Sequence, residues 1–345
     1  MQLELLNIAV GFGTALILDD LTLALEPGEI GCLLGASGCG KTTALRAIAG
    51  FEPLVRGQIV VGDQQLSRPG WTLPPQRRRV GMVFQDYALF PHLSAADNVG
   101  FGLRRVDAAR KRRRVAEMLD LVGLGELADH FPHQLSGGQQ QRVAVARALA
   151  PDPAVLLMDE PFSNLDSELR ERLSLEVRAI LKAAGTTALI VTHDQHEAFA
   201  MADRVGLMHN GRIEQWDSPY NLYHRPASRR VARFVGQGVL VPGVVAENHH
   251  IRIPLGCLPS LSPLAAGTAV EVLLRPDDIV HDDASPLTAT VRAKTFRGAS
   301  ILYSLELPDG TRLLALVPSH HNHSLGEAIG IRLDAEHVIA FASET

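Results

Sequence analysis

The sequence predicts an α/β protein, a doubly wound parallel sheet with a helical insertion, followed by a small antiparallel β-barrel-like unit. Three observations predict it. Short apolar runs recur between glycines and turn residues: EIGCLLG (29–35), AVLLMDE (154–160) and TALIVTHD (187–194). Each is too short for a typical helix and reads as a strand buried on both faces. Helical patterns lie between them, KTTALRAIAG (41–50) stopping at Gly50 and ELRERLSLEVRAILKAAG (168–185) stopping at Gly185. Strands that alternate with helices build one parallel sheet. After about Gly236 the pattern changes to strand-like pieces, TAVEVLLRP and ILYSLELPDGTRLLALV, broken by Pro, Gly and Asp-Gly turns.

A chain of 345 residues exceeds one ordinary core. The reading divides it into a nucleotide-type domain at 1–236, with the helical insertion at about 88–150, and a C-terminal domain at 237–345. A content of 46% hydrophobic and 21% charged residues is that of a globular protein. No apolar run is long enough to span a bilayer, and MQLELLNIAV has neither a basic segment nor a cleavage site, so the chain is expected to stay soluble where it is made. Cys32, Cys39 and Cys257 lack metal-type spacing and are too few for a disulfide framework, which fits a reducing cytoplasm. The formal net charge of −5 argues against nucleic acid as the main partner.

Ligands of a doubly wound sheet sit beyond the carboxyl ends of its strands, and polar residues stand there. The first apolar run opens into GASGCGKTT (35–43), a P-loop pattern. From Gly35, Ala36 and Ser37 the loop turns so that the N–H groups of Gly38, Cys39 and Gly40 wrap a β-phosphate. Lys41 then reaches the β- and γ-phosphates, Thr42 supplies a hydroxyl to Mg²⁺, and Thr43 lies near the α-phosphate. At the end of AVLLMDE, Asp159 is assigned to Mg²⁺ through water and Glu160 to polarising an attacking water. Adjacent carboxylates also cap helices, but downstream of a P-loop the chemical reading prevails. Gln85, where the sheet gives way to the insertion, offers a neutral amide to Mg²⁺ or water. His193 ends the third run and is placed to donate to a γ-phosphate.

LSGGQQQRVAVARALA (135–150) is a second phosphate cradle. Ser136, Gly137, Gly138 and Gln139 open a helix whose uncovered N–H groups and positive dipole end favour an anion. One chain with two such cradles needs an explanation.

Gly35–Thr43, Gln85, LSGGQ, MDEP, SNLD and His193 occur in the order, and with the residues, that resemble ATP-binding-cassette (ABC) ATPases over about residues 1–236. LSGGQ separates that family from P-loop kinases and GTPases. The resemblance implies ATP and Mg²⁺ as cofactors and a head-to-tail homodimer in which the LSGGQ of one chain closes over the ATP on the partner's P-loop. It implies Asp166 of SNLD at the dimer seam and Phe12 of AVGFG stacked on adenine. DYALFPHLSAADNVGFGL after Gln85 is similar to importer ATPases whose groove receives a helix of a membrane subunit. WDSPYNLYHRPASRRVARFVGQG and RPDDI resemble importers with a C-terminal TOBE-type domain. GASGCGKTT, GQQQR and FVGQGVLVPG are most similar to ferric-iron import subunits; polyamine, sugar, sulfate or phosphonate cargo stays open. The implied role is ATP hydrolysis energising a separate transmembrane permease at the cytoplasmic face of the inner membrane, with a substrate-binding protein as an indirect partner. The C-terminal domain is expected to regulate or dimerise. A soluble ABC protein acting on ribosomes or DNA would carry two cassettes or a coiled-coil insertion, and a P-loop kinase would lack LSGGQ.

Three further features receive plainer readings. RKRRRVAEM (110–118) reads as a solvated helix face. SHHNH (319–323), with His320, His321 and His323, reads as a turn-like cluster in an exposed loop. Cys39, at a helix amino end, is expected to react readily with alkylating agents.

Overall fold

The computed structural model describes all residues except 14, 104–105, 164, 248–249, 261–263, 336–337 and 344–345, together with the side chains of Phe12 and Ser167. The chain forms two compact units, Met1–Pro219 and Tyr220–Thr345.

The first unit opens with β1 (Leu3–Phe12), β2 (Ala15–Leu25) and β3 (Ile30–Leu34), then α1 (Lys41–Ala49). It continues through β4 (Arg56–Val61), β5 (Gln64–Arg68), β6 (Trp71–Thr72) and β7 (Val80–Val83). The insertion supplies α2 (Ala95–Gly100), α3 (Ala108–Leu121) and α4 (Gly137–Leu149). The unit closes with β8 (Val155–Asp159), α5 (Ser167–Ala183), β9 (Thr187–Thr192), α6 (Gln195–Met201), β10 (Arg204–His209) and β11 (Arg212–Asp217).

The six-stranded sheet has the order β11-β10-β3-β9-β8-β7, parallel except for β11. Strands β3 and β9 are buried along their whole length, as their unbroken apolar runs require. A second, antiparallel sheet, β2-β1-β4-β5-β6, covers it. Leu45 and Ile48 of α1, fully buried, join a core that takes Leu3, Leu5 and Ile8 from β1 and Leu157 and Leu189 from β8 and β9. Each such side chain contributes roughly 1.5–3 kcal/mol. Gly50 ends α1 at φ 94°, where its N–H bonds the Arg46 and Ala47 carbonyls.

One buried cation ties this helix to the antiparallel sheet. Arg78 is 1% exposed. Its guanidinium donates to the carbonyls of Ala47 (3.0 Å) and Ile48 (2.6 Å) at the end of α1. It also donates to Leu66 O (3.1 Å), Ser67 Oγ (2.7 Å) and Leu73 O (2.6 Å). Burial pushes its pKa down to about 10, so it stays charged at neutral pH.

The second unit holds α7 (Pro219–His224, which begins at the junction), α8 (Arg229–Phe234), β12 (Val239–Val245), β13 (His250–Ile253), β14 (Gly256–Pro259) and β15 (Ala269–Leu274). Then follow β16 (Ile279–His281), β17 (Thr288–Phe296), β18 (Ser300–Glu306), β19 (Arg312–Pro318), β20 (Ala328–Leu333) and β21 (Ile339–Ala342). They form two five-stranded antiparallel sheets, β14-β13-β12-β15-β21 and β16-β20-β17-β18-β19. Both contribute to a single core that includes Val241, Val272, Val291, Tyr303 and Leu313. The units meet at 219/220 instead of 236/237. Arg275 gives the reason: its Nη1 donates to Ala232 O (3.0 Å) and Gly236 O (2.9 Å), its Nη2 to Tyr223 O (3.2 Å), and it stacks on Tyr223 at 4.4 Å. The two short helices thereby pack with the β unit.

Candidate active site

The carboxyl ends of β3, β9, β8 and β7 bring most of the expected site residues to one edge of the sheet. Loop 35–40 leaves β3 with Ala36, Ser37 and Gly38 exposed. Gly35 is obligatory because a Cβ there would stand 2.5 Å from the Met208 carbonyl oxygen. Gly40 is obligatory twice over, with φ 106° and a Cβ position 2.7 Å from Leu18 Cδ2. The loop therefore curls tightly into α1 with its backbone uncovered. Lys41, 5% exposed, folds back so that Nζ donates to Gly35 O (2.7 Å) and Ala36 O (3.0 Å). An ammonium buried against two carbonyls and the Cys39 sulfur, with no carboxylate at ion-pair distance among the described residues, is the electrostatic complement of a phosphate.

Thr42 Oγ1 donates to Asp159 Oδ1 at 3.2 Å. Burial raises the Asp159 carboxyl above its ordinary range, the neighbouring Glu160 charge adds to the rise, and the Thr42 bond opposes it. A hydroxyl and a desolvated carboxylate side by side are the hard oxygen donors a magnesium ion takes, so the residues fit the cation. Thr43 occupies the first turn of α1.

Glu160 stands in the left-handed region, φ 43°, a backbone strain of a kind that gathers at working sites. Its Oε2 lies 3.1 Å from His193 Nδ1. His193 leaves β9 and is held from behind by a network the sequence did not announce. Asp194 caps α6, accepting from His196 N (2.7 Å) and Glu197 N (3.2 Å). Arg170 of α5 donates to Asp194 Oδ2 at 2.9 Å and to Leu165 O at 2.9 Å.

Gln85 is exposed in the turn after β7. Beyond it Tyr87 and Ala88 adopt φ 61° and 45°. Their carbonyls accept from Arg147 Nη2 (2.7 Å) and Nη1 (2.6 Å), so α4 holds this segment. No sequence motif marks Arg147.

Ser136 caps α4 and forms a capping box with Gln139, Ser136 N–H donating to Gln139 Oε1 at 2.8 Å and Gln139 N–H to Ser136 Oγ at 3.3 Å. A Cβ on Gly138 would come within 2.8 Å of Leu173, and one on Gly137 within 3.3 Å of Leu165. Asp166 caps α5 through Leu169 N–H at 2.9 Å and is exposed. Phe12 ends β1, but its side chain lies outside the described residues, as does Asn164 of SNLD.

One expectation is corrected. Cys39 does not present its thiol to solvent: it is 8% exposed and belongs to the core, with Sγ 3.9 Å from Lys41 Nζ. Cys257 is the exposed cysteine.

The model of the ABC transporter family matches residues 18–163, and that of the TOBE domain residues 272–341. The Fe(3+) ions import ATP-binding protein FbpC of Streptomyces avermitilis is 43% identical over 347 residues, covering 98% of both chains. The spermidine/putrescine import ATP-binding protein PotA of Nitratidesulfovibrio vulgaris is 43% identical over 332 residues, covering 91% of this chain and 88% of that one. A solved dimer of the ATP-binding cassette MJ0796, in a post-hydrolysis state bound to ADP and Pi, matches 63% of this chain and 98% of its own with 32% identity and a TM-score of 0.53. With the loop at 35–43, the Thr42–Asp159 and Glu160–His193 pairs and the capped LSGGQ helix, these likenesses make the chain a member of the ATP-binding-cassette family, of the import ATP-binding type that carries a C-terminal TOBE domain.

Proposed function

We propose that the chain is the MgATP-hydrolysing subunit of an importer. The observation that carries this reading is the buried Lys41 ammonium, with no carboxylate partner among the described residues, beside the Thr42–Asp159 pair. Lys41 and the N–H groups of 38–40 would hold the phosphates; Thr42, Asp159 and Gln85 would hold the magnesium ion. When bound, MgATP supplies a transferable γ-phosphoryl group and a cation that neutralises its charge. Glu160 orients the attacking water and accepts its proton, and His193 fixes the Glu160 carboxylate through Nδ1. The LSGGQ helix serves the partner chain's nucleotide, with Asp166 at the seam of a homodimer. The chain works at the cytoplasmic face of the inner membrane, bound to a permease that a substrate-binding protein loads. No described helix is long and apolar enough to cross a membrane, which makes a separate permease part of the proposal.

Ferric iron is the proposed cargo, resting on the likeness of 35–43, GQQQR and FVGQGVLVPG to ferric import subunits. Polyamine is the second reading, favoured by the equal identity of the spermidine/putrescine relative. The test of mechanism is Glu160→Gln, which should retain ATP and lower turnover by roughly 10²–10⁴-fold. Near-normal turnover would remove Glu160 from the role of base. Deleting the gene and measuring uptake of labelled ferric iron beside labelled spermidine separates the two cargoes.

A further inference from the structure

The turn at 319–323 is more than an exposed histidine cluster. Two of its rings, His321 and His323, face His281 at the end of β16, forty residues earlier in the chain. Ring centroids lie 4.9 Å apart for His281–His321 and 4.7 Å for His281–His323. One ligating nitrogen from each of the three rings falls within 4.8 Å of the others. We propose that His281, His321 and His323 form a binding site for a divalent transition-metal ion of the zinc class.

Two observations show a site that is built. The His281 side chain is 7% exposed, and the His323 side chain 17%. In both rings Nε2 is buried and makes no hydrogen bond among the described residues. Polar atoms left this way are rare in a folded core, because burial removes their water and returns nothing. A metal ion satisfies both. Asp283 Oδ1 stands 3.1 Å from His281 Nε2 without the alignment of a hydrogen bond, and offers an oxygen for a further position or a counter-charge.

The surroundings orient the rings. Glu327 Oε1 lies 2.9 Å from His323 Nδ1, which leaves Nε2 as the ligating atom. A carboxylate on the far nitrogen of a ligating imidazole is the usual support of such a metal site. The turn itself is fixed by Tyr303, fully buried, whose hydroxyl donates to His321 O (2.8 Å) and accepts from His323 N–H (2.9 Å). Lys294 Nζ donates to His323 O at 2.7 Å. Both ligands on the turn are therefore pinned at their backbones, and only ring rotation remains.

Geometry and ligand type set the ion. Bonds of about 2.0–2.1 Å in a tetrahedral shell need nitrogens about 3.3 Å apart, so the donors close by at most about 1.5 Å on binding. Imidazole donors suit Zn²⁺, Cu²⁺, Ni²⁺ and Fe²⁺, and exclude the all-oxygen shells of Mg²⁺ and Ca²⁺. Three histidines leave one position open to water or a carboxylate.

Cobalt(II) tests this, because its visible d–d absorption reports the coordination shell. The full, untagged, chelator-stripped chain is titrated with CoCl₂ in the absence of nucleotide. One equivalent should develop a low-symmetry band that ZnCl₂ then bleaches. The double variant His281→Gln, His323→Gln should lose the band, whereas His320→Gln, at an exposed ring that packs on His321 at 4.3 Å but is not one of the three ligands, should keep it. Glu327→Gln should weaken binding by about 10–100-fold while the protein stays folded. Absence of the band in the wild-type chain overturns the proposal, as does its persistence in the double variant. Should that variant fail to fold, the wild-type titration and the Glu327→Gln affinity decide: unchanged affinity in Glu327→Gln counts against the site.

Discussion

Replacing Arg78 with methionine should unlock the helix that carries the P-loop lysine. Arg78 makes five hydrogen bonds from a buried position, two of them to the last carbonyls of α1. Methionine fills similar volume but donates nothing. The Ile48, Leu66 and Leu73 carbonyls and the Ser67 hydroxyl then lose a charged partner inside the core, and the negative end of the α1 dipole loses its cation. Leaving neutral acceptors buried without their donor costs about 1–3 kcal/mol each before relaxation, so about 3–5 kcal/mol for the set. For a unit of this size each kcal/mol moves the midpoint by about 2–4 °C, so the transition should fall by roughly 6–20 °C. Both tryptophans, Trp71 and Trp216, lie in the Met1–Pro219 unit, so tryptophan fluorescence against temperature follows that unit alone. A double-mutant cycle sharpens the test. Gly50→Ala places a Cβ 2.4 Å from Arg78 Nε at φ 94° and should be destabilising in the wild-type chain. It should be less so in the Arg78→Met background, where the unanchored methionine end can swing aside but the backbone strain persists. A midpoint for Arg78→Met within about 2–4 °C of wild type, or strict additivity in the cycle, would refute the reasoning.

Other outcomes follow from the same geometry. Mixing Lys41→Ala chains with Ser136→Asp chains should regenerate about a quarter of all sites intact if the signature acts across a two-fold dimer; turnover and ATP-dependent pairing of tagged chains read it, and no rescue in either would exclude action in trans. An aspartate at this position retains the helix cap, whereas a side chain in place of Gly138 would collide with Leu173 and confuse the result. A maleimide should label Cys257 first, Cys39 slowly and Cys32 slowest, as mass spectrometry of the folded chain would show. Fast labelling of Cys39 that MgATP prevents would mean that its thiol faces the phosphates after all. Burial alone would raise the Asp203 carboxyl, but Lys182 Nζ (2.6 Å), the Ile30 N–H (2.8 Å) and Arg178 Nη2 (2.8 Å) hold it below its ordinary value. Its stabilisation is therefore present above the unfolded carboxylate range and fades as pH falls through the folded pKa. Asp203→Asn should cost about 1–3 kcal/mol near neutrality and progressively less in acid, measured by urea melts across pH; a pH-independent cost would contradict this.

What could be read from sequence was what repeats locally. Strands β3, β8 and β9 show as unbroken apolar runs because both faces are covered, and α1 and α5 stop at the glycines that mark their ends. The antiparallel sheet escaped notice. In β2 the alternation of Leu21, Leu23 and Leu25 is interrupted before it at Asp19 and Asp20, the latter at φ 63°, and β1 turns irregular at Asn7, φ 49°. Neither keeps one period along its whole length. The site edge was legible wherever a residue followed a buried strand, as Lys41, Asp159, Glu160 and His193 do. It was illegible where one long side chain crosses the fold. Arg78 is one of three consecutive arginines and nothing local separates it from its neighbours. Arg147 is an ordinary helical arginine until Tyr87 and Ala88 arrive beside it. His281 meets the turn after β19 only because the sheet curls, bringing its edge strand β16 back against β19 at the opposite edge.

The backbone at Glu160 has a consequence for any attempt to harden this protein. A non-glycine residue at φ 43° is held against its own preference. Glycine or asparagine would rest there more easily, by something on the order of 1 kcal/mol. Screening variants by melting temperature alone would therefore reward the loss of the carboxylate on which the proposed chemistry depends. A position that invites improvement by one measure is one that must be left alone by the other, and a thermostability campaign on this chain should fix residue 160 before it begins.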